Sequence, residues 1–316
     1  MEFCTVVGKG RDRVTSDRDM VLVPGGTFMM GSDEFYPDER PVHERPVAAF
    51  LLDRYEVTNE DYARFVDDTG YVTVAERALD PAAFPGADPA DLVPGAMVFT
   101  PTSGPVDLGN WRNWWRWQPG AYWREPFGPG SSIDERLRHP VVQVAFEDVT
   151  AYAAWAGGRL PTEAEHEYAA RGGRDGARFA WGDEPYPDGI PRANTWLGRF
   201  PHDNQGVGDA APVGSYEPNG YGLYDLIGNV WEWTSDYYTP RHVRLSDTPV
   251  DAGKRANLLA TASAQEGFPG IPRRVLKGGS HLCSPDYCLR FRPAARSPQA
   301  EDTGMSHIGF RIARDA

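Results

Sequence analysis

The chain has 316 residues and carries 32 Lys and Arg against 45 Asp and Glu, a formal net charge of −13. Such an excess of acid argues against nucleic acid or anionic membrane as partner, because phosphate neutralisation needs surplus Lys and Arg; its plain reading is solubility, and as a functional surface it would favour a basic peptide. Three cysteines are too few for a disulfide framework, whereas 10 Trp, 14 Tyr and 14 Phe beside 34 Gly and 28 Pro exclude a disordered chain and point to a compact fold with little regular secondary structure.

Residues 1–19 read as a flexible polar leader containing Cys4, with no apolar signal region, and no stretch reaches the length of a membrane span. The expected location is therefore the cytoplasm. Met20 to Gly31 alternates around Pro-Gly-Gly and reads as a hairpin opening a single domain over residues 20–316, and Phe50 to Val57 reads as a strand. A capping box of Thr58 and Asp61 starts a helix that buries Tyr62, Phe65 and Val66 and stops at Gly70. From Asp80 to Gly130 periodicity is lost; Trp111, Trp114, Trp115, Trp117 and Trp123 suggest a long insertion packed on the core, a base-stacking surface being disfavoured by the acidic charge.

His139 to Val144 reads as a buried strand, followed by a helix ending at Gly157 and Gly158. A second capping box, Thr162 with Glu165, opens the next helix, which ends at Gly172. Its Glu163, Glu165 and Glu167 fit acid/base chemistry or, more simply, the positive end of the helix dipole. Ala193 to Trp233 is rich in loop residues and oxygen ligands, among them Asn194, Asp203, Asp209, Asp225, Asn229 and Glu232, a composition from which calcium sites outside the EF-hand are built. Arg241 to Pro272 reads as a loop, and HIGFRIA as the final strand.

The stretch with the most chemistry is Lys277 to Arg296, KGGSHLCSPDYCLRFRPAAR. Pro285 between Cys283 and Cys288 disfavours a regular helix or central strand, so the thiols sit on a tight loop that can close as a disulfide or hold a soft metal. Two thiolates are too few for structural zinc but suit Cu(I), which prefers sulfur. Gly278 and Gly279 imply unusual dihedrals or close approach, and Ser280 puts a hydroxyl beside the thiols. Arg290, Arg292 and Arg296, separated by even numbers of residues, fit one face of a strand, either as an ion-pair ladder or as promoters of thiolate character.

Several phrases together resemble the formylglycine-generating enzyme family of bacterial type, the sulfatase-modifying factors: VPGGTFMMGS, YEVTNEDYARFV, AYAAWAGGRLPTEAEHEYAARGG, NGYGLYDLIGNVWEWTSD, LKGGSHLCSPDYC and HIGFR. The cysteine pair is the specific part of the match. The resemblance implies a single α+β domain of the sulfatase-modifying-factor, C-type lectin-like fold, low in regular secondary structure. It also implies a copper- and oxygen-dependent oxidase that converts the cysteine of a sulfatase C-x-P-x-R segment to Cα-formylglycine with a thiol reductant. On this basis Cys283 and Cys288 hold Cu(I), Ser280 is the active-site serine, and Tyr287 and Trp231 line the site. Asp225, Gly228, Val230 and Glu232 fall on a calcium site, and Asn194 and Thr195 begin a second. Ala153 and Pro293 stand where secretory relatives carry structural cysteines, and His166 stands where the family usually has Trp. The rival from another class is a non-catalytic binding module on the same fold; an iron-dependent sibling oxidase would bring a helical metal domain for which the chain has no room.

Overall fold

The computed structural model describes residues 18–81, 86, 88, 92–242, 252–264 and 270–316. Most of the expected leader, with Cys4, therefore lies outside the described residues, while Arg18 is already anchored, its guanidinium on the Asp53 carboxylate. In chain order the elements are β1 (Met20–Val23), β2 (Gly26–Met30), β3 (His43–Val47), β4 (Phe50–Asp53), α1 (Asn59–Thr69), β5 (Gly95–Phe99), β6 (Trp115–Pro119), α2 (Phe146–Trp155), α3 (Glu163–Arg171), β7 (Gly198–Arg199), β8 (Asp203–Asn204), β9 (Trp231–Tyr237), α4 (Ala252–Ser263), β10 (Arg273–Lys277), β11 (Arg296–Ala300), β12 (Ile308–Gly309) and β13 (Ala313–Asp315). Helices and short strands thus alternate with long irregular stretches in one mixed α+β domain, as expected. Among the described residues no helix is long and apolar enough to cross a membrane.

The expected opening hairpin does not form. β1 joins β4 and β13 in one sheet, and β2 pairs with β3 in another. The Pro-Gly-Gly turn sends each half to a different partner, and Gly25 is wedged so tightly against the β3–β4 link that a Cβ there would lie 2.9 Å from Ala49 N. β4 is shorter than the expected strand to Val57. The segment His139 to Val144 is buried but is not a strand: Gln143 takes φ 62, and Val141 N and Gln143 N donate to different partners, Val57 O and Met305 O. HIGFRIA splits likewise, into β12 at its start and β13 at and beyond its end.

The helix readings hold. Thr58 with Asp61, and Thr162 with Glu165, form complete capping boxes, and Gly70 and Gly172 close α1 and α3 in the left-handed region. Tyr62 and Phe65 of α1 pack against Tyr152 of α2 and put aromatic rings at the centre of the main core. The tryptophan-rich insertion carries the β5–β6 hairpin; Trp114 and Trp123 are buried, whereas Trp111 and Trp117 stay exposed. The stretch Arg241 to Pro272, expected as a loop, contains α4, and its residues 243–251 and 265–269 lie outside the described ones.

The arrangement that matters for the site is the four-stranded sheet β11-β10-β9-β12. β10 and β11 are antiparallel neighbours, with Lys277 directly across from Arg296. The cysteine loop, residues 278–295, is therefore the long connection between two paired strands, and its two ends are clamped together. α3 packs on β10 from beneath.

Candidate active site

The clamp is electrostatic as well as backbone. Lys277, fully buried, donates from Nζ to Glu167 Oε2 at 3.0 Å, and Arg296 donates to both oxygens of Glu163 at 2.7 and 2.9 Å. Burial would raise the Glu167 pKa, but Lys277 and Arg171 outweigh it and hold the carboxyl down to about 2. Glu163 and Glu167 of α3 thus serve as buried counter-ions of the loop ends; their position in the first turns of the helix accounted for only part of their role. Glu165 closes the cap and pairs with Arg159. Arg290, Arg292 and Arg296 do not share a strand face, because only Arg296 lies in a strand. Each has its own partner: Arg290 donates to Asp38 Oδ2 at 3.1 Å, and Arg292 forks onto both oxygens of Glu39.

Within the loop the backbone turns so closely that two glycines are required. Gly278 and Gly279 take φ 91 and φ 78. A Cβ at Gly279 would lie 2.8 Å from Arg290 O and Phe291 Cα. This close crossing brings the start of the loop against its return. Cys283 N donates to Ser280 O at 2.9 Å, Ser280 N points at Cys283 Sγ at 3.4 Å, and Cys288 N donates to Ser284 O at 2.8 Å. The two sulfurs end 3.5 Å apart. Both are free thiols, Cys283 buried and Cys288 partly exposed. They are polarised in opposite senses: burial and the neighbouring Cys288 push the Cys283 pKa well up, whereas the hydrogen bond from Cys283, against the effect of burial, and the Arg290 and Arg292 charges bring Cys288 down. Cys288 is thus the more exposed and more acidic thiol of the two, and Cys283 the buried, less acidic one.

Aromatic side chains flank the pair. Tyr287, 38% exposed, stacks on Phe200 with ring centroids 4.3 Å apart and meets the edge of Trp114 at 5.5 Å. Trp196 N donates to Cys283 O, tying this wall to the loop. On another side Tyr36 accepts from Leu289 N at 3.1 Å, and the Arg290 guanidinium lies 4.0 Å over its ring. The structure thus gathers Ser280, Cys283, Tyr287 and Cys288 in one loop, while Trp231 lies in the buried cluster that also holds Cys283. Sequence reasoning missed Tyr36, Trp114, Trp196 and Phe200 as wall residues, since each comes from a distant stretch; the five clustered tryptophans were the available signal.

The oxygen-rich segment is built differently. Glu232 accepts from Arg311 Nη2 at 2.7 Å and Nε at 2.8 Å, and from His166 Nε2 at 3.2 Å. His166 is therefore more than a packing replacement. Beside this pair lie Glu56, which takes Asn229 Nδ2 at 2.6 Å, and Asp225, which takes Gly214 N at 2.6 Å. Burial, then the charges of Asp225 and Glu232, raise the Glu56 pKa far up, and burial raises Asp225 to about 6. Three carboxyls sharing the Arg311 charge form a region deficient in positive charge and rich in hard oxygen donors. That is the chemistry a divalent cation such as calcium fits, although Glu232 has both oxygens committed and, among the described residues, no three His, Cys, Asp or Glu side chains converge as a metal cluster. Asn194 spends its Nδ2 on Asp209 O and Asn229 Oδ1, and Thr195 Oγ1 meets Tyr186 Oη. The thiol pair, by contrast, is a soft donor set that fits Cu(I).

Fold and site together define a single mixed α+β domain that presents an unbonded dithiol on a clamped loop. The chain belongs to the family described as Sulfatase-modifying factor enzyme 1-like domain, whose model matches residues 8–316. It is 58% identical over 301 residues to the Formylglycine-generating enzyme of Mycobacterium tuberculosis, covering 94% of this chain and 98% of that protein. It is 44% identical to the Formylglycine-generating enzyme of Thermomonospora curvata, covering 94% of each. Among solved structures it resembles PvdO from Pseudomonas aeruginosa, with a TM-score of 0.61 at 26% identity, covering 97% of this chain and 100% of that one.

Proposed function

We propose that this chain converts the cysteine of a sulfatase C-x-P-x-R segment to Cα-formylglycine, with Cu(I) held by Cys283 and Cys288, O2 as oxidant and a thiol as reductant. The single observation that carries this reading is the pair of unbonded sulfurs 3.5 Å apart, one buried and one partly exposed, in a chain of this family. Turning –CH2SH into –CHO with O2 balances only if two further reducing equivalents enter and hydrogen sulfide and water leave, hence the thiol reductant. Copper, when bound, supplies the activation of oxygen that side chains alone lack.

The protein's own residues have separable tasks. Cys288, favoured as thiolate by the hydrogen bond from Cys283 and then by Arg290 and Arg292, meets the incoming substrate first, and Cys283 anchors the centre from below with its sulfur capped by Ser280 N–H. Tyr287, held by its stack on Phe200, offers an exposed aromatic surface against which an extended substrate segment would lie. For calcium we propose Asp225 with the carbonyls of Gly228 and Val230, Glu232 adding charge, and Asn194 with Thr195 as the start of a second site. A cytoplasmic location is part of the same reading, because a reducing compartment keeps such a pair as thiols.

The test is mass spectrometry of a C-x-P-x-R peptide incubated with Cu(I)-loaded protein, air and a thiol. Conversion to the aldehyde that stops under anaerobic conditions and after copper chelation is expected. No conversion, together with no copper bound at the pair, would move the reading to a binding module.

A further inference from the structure

Asn229 lies outside the cysteine loop and yet holds it. It is 1% exposed and takes φ 55, a left-handed conformation that asparagine tolerates better than most residues. Its side chain is saturated: Nδ2 donates to Glu56 Oε2 at 2.6 Å, and Oδ1 accepts from Asn194 Nδ2 at 3.1 Å and from Ala211 N at 2.8 Å. Its backbone N donates to Asn194 O at 2.9 Å. Its carbonyl, turned the other way by the left-handed backbone, accepts twice from one residue of the cysteine loop, from His281 N at 2.8 Å and from His281 Nδ1 at 2.9 Å. That second bond fixes the proton on Nδ1. A neighbouring tie, Gly228 N to Gly278 O at 3.0 Å, runs beside it.

His281 sits one residue after Ser280, whose carbonyl holds Cys283 N and whose N–H caps Cys283 Sγ. The turn that carries the buried sulfur is thus a continuation of the His281 anchor. We propose that Asn229 is a positioning residue for the thiol pair, passing the placement of Glu56 and the Asn194–Ala211 segment through its carbonyl and His281 to Cys283. The ordinary alternative is that Asn229 and His281 only stabilise the fold.

The test uses His281→Leu, which removes the Nδ1 bond while leaving the Asn229 side-chain network, and His281→Gln, which restores an N–H donor; Asn229→Gly, which keeps the carbonyl but frees it from that network, serves as a third variant. Two readouts are taken alongside thermal melting: kcat and KM on the C-x-P-x-R peptide, and, in metal-free protein with Cys4→Ser, the rate at which the pair closes to a disulfide in a fixed thiol–disulfide buffer. Misplacement of a reacting group by about 1 Å costs on the order of 100-fold. His281→Leu is accordingly expected to lower kcat by roughly 10- to 100-fold at nearly constant KM and to change the closure rate several-fold, with His281→Gln recovering most of both. Unchanged kcat per folded molecule and unchanged closure in His281→Leu, or no recovery in His281→Gln, would overturn the proposal. The kcat arm rests on the proposed oxidase reading; the closure arm does not, so if wild type converts no peptide that reading fails and closure alone decides the role of Asn229. Should Asn229→Gly not fold, the two His281 variants carry the decision.

Discussion

Glu232 and Cys288 are both polar groups set into the body of the fold, and the protein treats them in opposite ways. Glu232 is saturated: Arg311 takes both oxygens and His166 adds a third donor. The sulfurs of Cys283 and Cys288 have each other, with one backbone N–H apiece, from Ser280 on Cys283 and from Arg290 on Cys288. A group held for stability has its bonding capacity filled, because a buried charge with an open valence is costly; a group held for chemistry keeps capacity in reserve. Asp225 falls between the two, with one carboxylate oxygen on Gly214 and a pKa raised to about 6, so it keeps capacity that a cation would use.

The contrast can be broken first where it is strongest. Arg311→Met leaves Glu232, Glu56 and Asp225 without their shared cation, and a loss of about 3–5 kcal/mol in urea unfolding is expected. A loss under about 1 kcal/mol would mean that the acid segment is not held by this pair.

Beneath the loop, Glu167 is depressed to about 2 against an ordinary value of 4.5. Its contribution is present in full above its unfolded pKa and is lost as pH falls through the folded one. The stability gap between wild type and Glu167→Gln is therefore expected to be constant near neutrality and to shrink from about pH 4.5 down to about pH 2. A gap that widens on acidification would contradict the assignment of Lys277 and Arg171 as its partners.

The sulfur side gives a smaller but sharper expectation. In metal-free Cys4→Ser protein at pH 7, iodoacetamide should label Cys288 at least roughly 10-fold faster than Cys283, by peptide mapping, because exposure and thiolate character both favour it. Equal rates would mean that the pair is symmetric. Smallest of all, Thr162→Ala should cost about 1 kcal/mol through loss of the α3 cap and leave the labelling ratio unchanged.

The sequence was most legible where a local rule decides the outcome. Thr58 and Asp61, Thr162 and Glu165, and the closing glycines placed α1 and α3, since a cap is settled by residues three positions apart. The tight loop of Cys283 and Cys288 followed from Pro285. Strand pairing was less legible: the alternation of Met20 to Gly31 identified two strands but not that both pair with the β3–β4 unit, because pairing is chosen by distant chain. The same limit hid the partners of Arg290, Arg292 and Arg296, which lie near residues 38, 39 and 163. Gln143 also defeated the strand reading of His139 to Val144, since its positive φ is fixed by bonds to Pro126 and Met305 that no local pattern announces.

The proposed chemistry takes place at the sulfurs and not at the carboxylates. Its most direct test is mass spectrometry of C-x-P-x-R peptide conversion by wild type, Cys288→Ser and Asp225→Asn, under copper-loaded, aerobic conditions with a thiol and normalised to folded protein. Chemistry at the sulfurs requires conversion by wild type, none by Cys288→Ser, and conversion by Asp225→Asn within a few-fold of wild type. Conversion that survives in Cys288→Ser would contradict it.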